Sequence, residues 1–171
     1  LMGWYTGFNK FITPLFEILR PIPPISWIPL TILWLGIGIR AKAFIIFFSA
    51  FIPCVINSST GIKQTSQTLI NVAKTSGASN LETFYKVAIP SAMPMVFTGI
   101  RVAVGNAWST LVAAEMLAAS AGLGYMILMG RAFARPDIIV LGMLVIGVIG
   151  ALLTGILEFA ERRIIKWGGR K

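Results

Sequence analysis

The residues able to do chemistry in this chain are few and scattered. It has six acids, one cysteine and no histidine in 171 residues. Histidine is the commonest metal ligand and general base, so its absence argues against a metalloenzyme or a His-based triad. Cys54 lies inside an apolar run, which suits a small buried side chain and rules out a disulfide framework. No GxxxxGK[ST] run is present for cradling a nucleotide's phosphates. Polar residues gather instead in one interlude at 71–94, NVAKTSGASNLETFYKVAIPSAMP, which carries Lys74, Glu82 and Lys86. Ala73 and Gly77 are small and four apart, so they share one helix face and admit close approach by a partner. Gly77 can take a positive φ at a helix end and turn the chain into the following segment, while Pro90 suits the first turn of the next helix. The chemistry implied is recognition of another protein.

The elements that must position this interlude are membrane helices. The composition is 56% hydrophobic and 12% charged, against about a quarter charged in soluble domains. Uncharged runs at 21–39, 43–62 and 138–157 each approach the roughly 20 residues a helix needs to cross the hydrocarbon. The alternating ten-residue segments of a membrane barrel are missing. The expectation is an all-α, polytopic membrane protein forming a single domain over 1–171. Its spans are placed at about 24–39, 43–58, 88–115 and 138–158, with a polar segment at 63–87.

Around these spans, positions 8, 11, 12, 15, 16 and 19 form an amphipathic stripe, fit for a membrane surface or for packing on neighbours. Pro21, Pro23 and Pro24 cannot be helix interior and start the next helix rigidly. Pro29 allows a kink in that helix, and Trp27 and Trp34 read as interface anchors. Arg40 and Lys42 read as a short loop. Asn57 and Ser58, with Ser59 and Thr60, either line a water-filled path or cap the next helix. The segment 118–130 looks too broken for a span and reads as re-entrant or surface-lying. Glycines at 142, 147, 150 and 155 let helices approach closely.

The net charge of +9 could suggest nucleic acid, but Lys and Arg flank the apolar runs instead of forming a stripe, so none is expected. Alternating the four spans puts ten of the fifteen basic residues on the side of the interlude and the C-terminus, which the positive-inside rule makes cytoplasmic. Arg101 falls within the membrane, about 16 Å beyond Pro90 at 1.5 Å per residue. It needs a partner, a wet cavity or snorkelling, either to pass an anion or to bond neighbouring helices. Glu115, roughly 21 Å further along, cannot pair with it and is placed near the outer interface.

From Asn71-Val72-Ala73 the sequence runs three residues to Gly77, then nine to Val87-Ala88-Ile89-Pro90. This resembles the coupling motif of ABC importer permeases: EAA, three residues, G, nine residues, then I-x-L-P. Asn71 stands where that family usually has Glu, and Val72 where it often has Ala. RPIPPISWIPL at 20–30, AEMLAA at 114–119 and GLGY at 122–125 are similar to the nitrate, sulfonate and taurine branch. The resemblance implies a type I importer transmembrane domain in a bacterial or archaeal cytoplasmic membrane, with the C-terminus cytoplasmic. It implies a non-catalytic subunit without cofactor or metal, working with ABC ATPase subunits, an external solute-binding protein and a second permease copy, homodimeric by expectation. Coupling would fall to Asn71, Ala73, Gly77, Ala78, Leu81 and Pro90; the pathway would involve Asn57, Ser58, Arg101 and Glu115. Such permeases have about six spans, so the chain reads as a fragment lacking its N-terminal part. Taurine or an alkanesulfonate comes first as substrate. A passive channel or structural subunit would need no docking element, and a membrane enzyme would need a convergent site.

Overall fold

Proline sets the first corner of the fold. The computed structural model describes residues 3–4 and 6–165. Helix α1 (Thr6–Leu19) stops before Pro21, Pro23 and Pro24, and a single 3₁₀ turn (Pro24–Trp27) leads into α2 (Ile28–Leu35). Each proline lacks the amide a continuing helix would donate. The two helical pieces therefore meet at 87° as a bent pair. Pro29 sits in the opening turn of α2, where its missing donor costs nothing, so it starts a helix where a kink was expected. The helix stops at Leu35 because Gly36 and Gly38 take φ of +74° and +158°, and α3 (Ile39–Lys63) begins immediately after. Arg40 and Lys42, read from sequence as loop, are the first turn of α3. Trp27 packs on Phe48 at 5.2 Å between ring centroids, whereas Trp34 is exposed. On α1, Ile12, Phe16 and Leu19 are half-buried and Leu15 exposed; the side chains of Phe8 and Phe11 lie outside the described residues.

Then come α4 (Gln67–Thr75), α5 (Asn80–Thr83), a π-helical turn (Phe84–Ala88), α6 (Ile89–Ala118), α7 (Leu123–Ala132) and α8 (Pro136–Ile164). All regular structure among the described residues is helical. Three helical stretches are long and apolar enough to cross a membrane: Ile39–Lys63, Asn80–Ala118 and Pro136–Ile164. The bent pair passes as a fourth. The segment at 118–130 contributes α7, a ten-residue helix against α6 and α8.

The main packing is α3 against α6, antiparallel, since rising numbers on one meet falling numbers on the other. Ser49 and Thr110 hydroxyls hydrogen-bond at 2.9 Å, fully buried. A Cβ at Gly99 would stand 2.7 Å from Asn57 Cβ, and one at Gly61 would stand 2.8 Å from Met95 Cβ. Lipid is as apolar as leucine, so helices in it are held by close backbone approach and buried hydrogen bonds. That is why small and hydroxyl residues occupy this interface. Ile28, Ile45 and Ala114 form a small core at its other end. Helix α8 meets α6 where Trp108 Nε1 donates to the Ile146 carbonyl at 3.2 Å, beside the space left by Gly150. Most of α8 stays exposed and apolar, as with Val140, Leu144, Val148 and Leu152.

Candidate functional site

The combined helix from Asn80 to Ala118 has 39 residues, about 58 Å at 1.5 Å each. The hydrocarbon is only about 30 Å thick, so the helix is longer than a crossing needs, and the charged Glu82 and Lys86 fall at its 80–88 end, next to α4. The corner between α4 and α5 is closed by two complementary caps. The Ala78 amide donates to the Ala73 carbonyl and the Gly77 amide to the Lys74 carbonyl, both at 3.0 Å. This is a Schellman end, and it requires Gly77 at φ +84°, where a residue with a Cβ is strained. Thr75 and Ser76 hydroxyls bond back to the 71 and 72 carbonyls, securing the same turn.

Two residues later Ser79 opens the next helix with a reciprocal box. The Glu82 amide donates to Ser79 Oγ at 3.2 Å, and the Ser79 amide to Glu82 Oε2 at 3.0 Å. The buried Thr83 donates to the Ser79 carbonyl, and the Phe84 ring stacks obliquely on Trp4 at 5.4 Å. A π-helical turn, closed by the Ile89 amide donating to the Phe84 carbonyl, precedes Pro90, and the helix continues unbroken into the span where sequence expected a fresh start.

What this corner presents is apolar. Leu69, Val72, Leu81 and Tyr85 are 51–63% exposed around it. A Cβ at Gly77 would meet nothing within 4 Å, so the space over the turn is open. Asn71 is exposed and accepts a bond from Gln67 Nε2 at 3.1 Å. The structure thus brings Asn71, Ala73, Gly77, Ala78 and Leu81 to one corner. Pro90 lies on the order of 14 Å further along the same continuous helix, away from that corner. Leu69 and Tyr85 were not anticipated, although their exposure follows from having polar neighbours outside the spans. The Ser79-x-x-Glu82 box is visible in sequence as a helix-start signal.

Glu82 carries a pH consequence. The Ser79 amide foremost, then Lys86, hold its carboxyl below the ordinary value of 4.5. A depressed carboxylate contributes stability that is present above the unfolded value and lost as pH falls through the folded one. Amide protection at 79–83 in the full-length protein, taken relative to the intrinsic exchange rate at each pH, should therefore fall as pH drops below the ordinary glutamate value, and Glu82→Gln should remove most of that response.

The other singled-out residues are placed differently. Arg101 does find partners: Glu158 at 3.6 Å and Glu161, both on α8. Asn57 turns to its own helix, donating to the Pro53 carbonyl at 2.9 Å, and packs under Gly99. Ser58 is half-buried beside it. Glu115 accepts from the Gly124 amide at 3.0 Å, clamping the turn between α6 and α7 through the space that Gly122 leaves. Among the described residues no cluster of three His, Cys, Asp or Glu could hold a metal. Of the basic tail, Lys166, Arg170 and Lys171 lie outside the described residues.

A helical membrane protein with a rigid, apolar, outward corner at the end of a span defines the class; comparison with known proteins defines the family. Residues 1–166 match the binding-protein-dependent transport system inner membrane component, and the chain belongs to that family. It is 43% identical over 98% of its length to a Methanocaldococcus jannaschii protein named as an ABC transporter permease. It is 36% identical over 98% to the taurine transport system permease protein of Escherichia coli. It is 32% identical over 96% to the nitrate import permease protein of Leptolyngbya laminosa. The chain spans 63%, 61% and 59% of the lengths of these three relatives. The family and branch resemblance read from 20–30, 71–90 and 114–125 is borne out.

Proposed function

We infer that this chain is the translocating part of an ATP-driven importer for a small anion. Taurine or an alkanesulfonate is the first substrate; nitrate, bicarbonate or another small solute is the alternative. The observation that carries the reading is the capped corner at 71–85, with apolar side chains turned outward and open space over Gly77. A passive pore has no need of so stiff a projection. The corner docks in a groove of a cytoplasmic ATPase subunit, and closure of two such subunits swings the attached span α6. An extracytoplasmic binding protein delivers the solute, and a second permease copy completes the pathway in a bacterial or archaeal inner membrane. The C-terminus is cytoplasmic on this reading, and the chain itself hydrolyses nothing. The segment 63–87 is the coupling element; 43–58, 88–115 and 138–158 are spans, and 24–39 completes a fourth with α1.

Full-length permease reconstituted with its ATPase and binding protein should accumulate taurine, ethanesulfonate or nitrate only with ATP. Equal flux without ATP would establish a channel instead.

A further inference from the structure

Helices α1 and α3 turn polar stripes toward one another. On α1, Asn9, Thr13, Glu17 and Arg20 recur at helical spacing on one face. On α3, Ser59, Thr60 and Lys63 answer them across a cleft of about 250 Å³. Thr13 Oγ1 donates to Asn9 Oδ1 at 3.1 Å, which leaves the two Asn9 N–H groups to offer. A groove so lined suits water or a polar solute. Arg20 and Lys63 supply two positive charges and Glu17 one negative, a net of one positive charge. None of the four ion pairs among the described residues involves them.

Lys63 also borders a second cleft, of about 430 Å³, which reaches Lys74 and Asn80 at the docking corner. Thr65 lines it too, buried, with a hydroxyl that has no hydrogen-bond partner. The two clefts therefore meet at one ammonium group.

We propose that they form a single site for a small monoanion with an oxyanion head, such as a sulfonate or nitrate, with Arg20, Lys63 and Lys74 in succession. This rests on the importer reading and adds to it where the solute travels. Hydroxyl and amide donors replace the anion's water. Glu17 keeps the attraction shallow enough for release. Arg101, by contrast, is occupied by Glu158 and Glu161.

Thiol accessibility tests the site without ATP. In membranes holding the full-length permease with Cys54→Ser and Thr60→Cys, modification by an anionic and a cationic methanethiosulfonate is compared, each normalised to its rate with free cysteine. The anionic reagent should be favoured at least about fivefold. Millimolar nitrate or ethanesulfonate should slow it. Arg20→Gln with Lys63→Gln should abolish the preference, and Lys63→Arg should keep it. Equal rates, a cationic preference or an unreactive Thr60→Cys would overturn the proposal. If the double glutamine variant fails to reach the membrane, the preference and nitrate protection with Lys63 intact decide alone. Preference without ATP-dependent uptake keeps the anion site and removes the importer; uptake without preference keeps the importer and removes the site.

Discussion

Gly77→Val in the full-length permease is expected to abolish ATP-driven uptake while the protein still inserts and folds. Two costs fall on that one substitution. At φ +84° a β-branched residue is strained by roughly 1–3 kcal/mol, which loosens the Schellman end and swings α5 relative to α4. On the proposed docking the new side chain also enters the partner's space, where the chain itself has no atom within 4 Å. Losing close contact at about 2–3 kcal/mol weakens that binding some thirty- to hundredfold. Gly77→Asn separates the two costs, because asparagine tolerates left-handed backbone. It should keep the turn and still lose coupling if the contact is steric. Uptake and ATPase retention, measured together in proteoliposomes, check this. Normal coupling in both variants would mean that the corner docks nothing.

Arg101→Ala should give the next largest effect, through α8. Arg101 joins the middle of α6 to Glu158 and Glu161 near the far end of α8, in the described structure the principal polar tie between those helices besides Trp108. The three side chains are 25–43% exposed, so the loss is discounted from that of a buried network to about 1–3 kcal/mol. The expected result is a lower midpoint for thermal unfolding of the assembled transporter and several-fold slower uptake. The swap Arg101→Glu with Glu161→Arg should recover most of both, since it restores the pair in reverse. An arginine that served as an anion ligand would behave otherwise: assembly would survive and the swap would leave uptake dead.

These residues also show how far sequence could be read. The interlude was legible because its signals are local. A glycine, a proline and small residues at set distances impose turns whatever surrounds them, and Gly77 does take the positive φ its position demanded. The long apolar spans were legible because hydrocarbon imposes length. The partners of Arg101 were not, since Glu158 and Glu161 lie about sixty residues away and only helix packing brings them near. Asn57 was left between two readings for a related reason. Its amide looks like a water-seeking group in sequence, yet the Pro53 carbonyl one turn back and the close approach of Gly99 give it a helix-packing role. The first corner was partly legible: three prolines announced a break, but their spacing does not give the 87° at which the two helical pieces meet. Asn71 carries no charge where the resemblance has an acid, so on the proposed docking the grip falls to shape, for which Leu69, Val72, Leu81 and Tyr85 offer an exposed apolar ring.

The most direct test of the account is a cross-link from the corner. Full-length permease with Cys54→Ser and Leu81→Cys, in membranes holding its ATPase, is treated with a short bifunctional thiol reagent, alongside a control carrying Ile37→Cys in the α2–α3 turn, beside the far end of α6. Position 81 should link to the ATPase and position 37 should not. A link from 37, or none from 81 in a transporter that still imports, would contradict the claim that this corner is where ATP hydrolysis takes hold of the membrane helices.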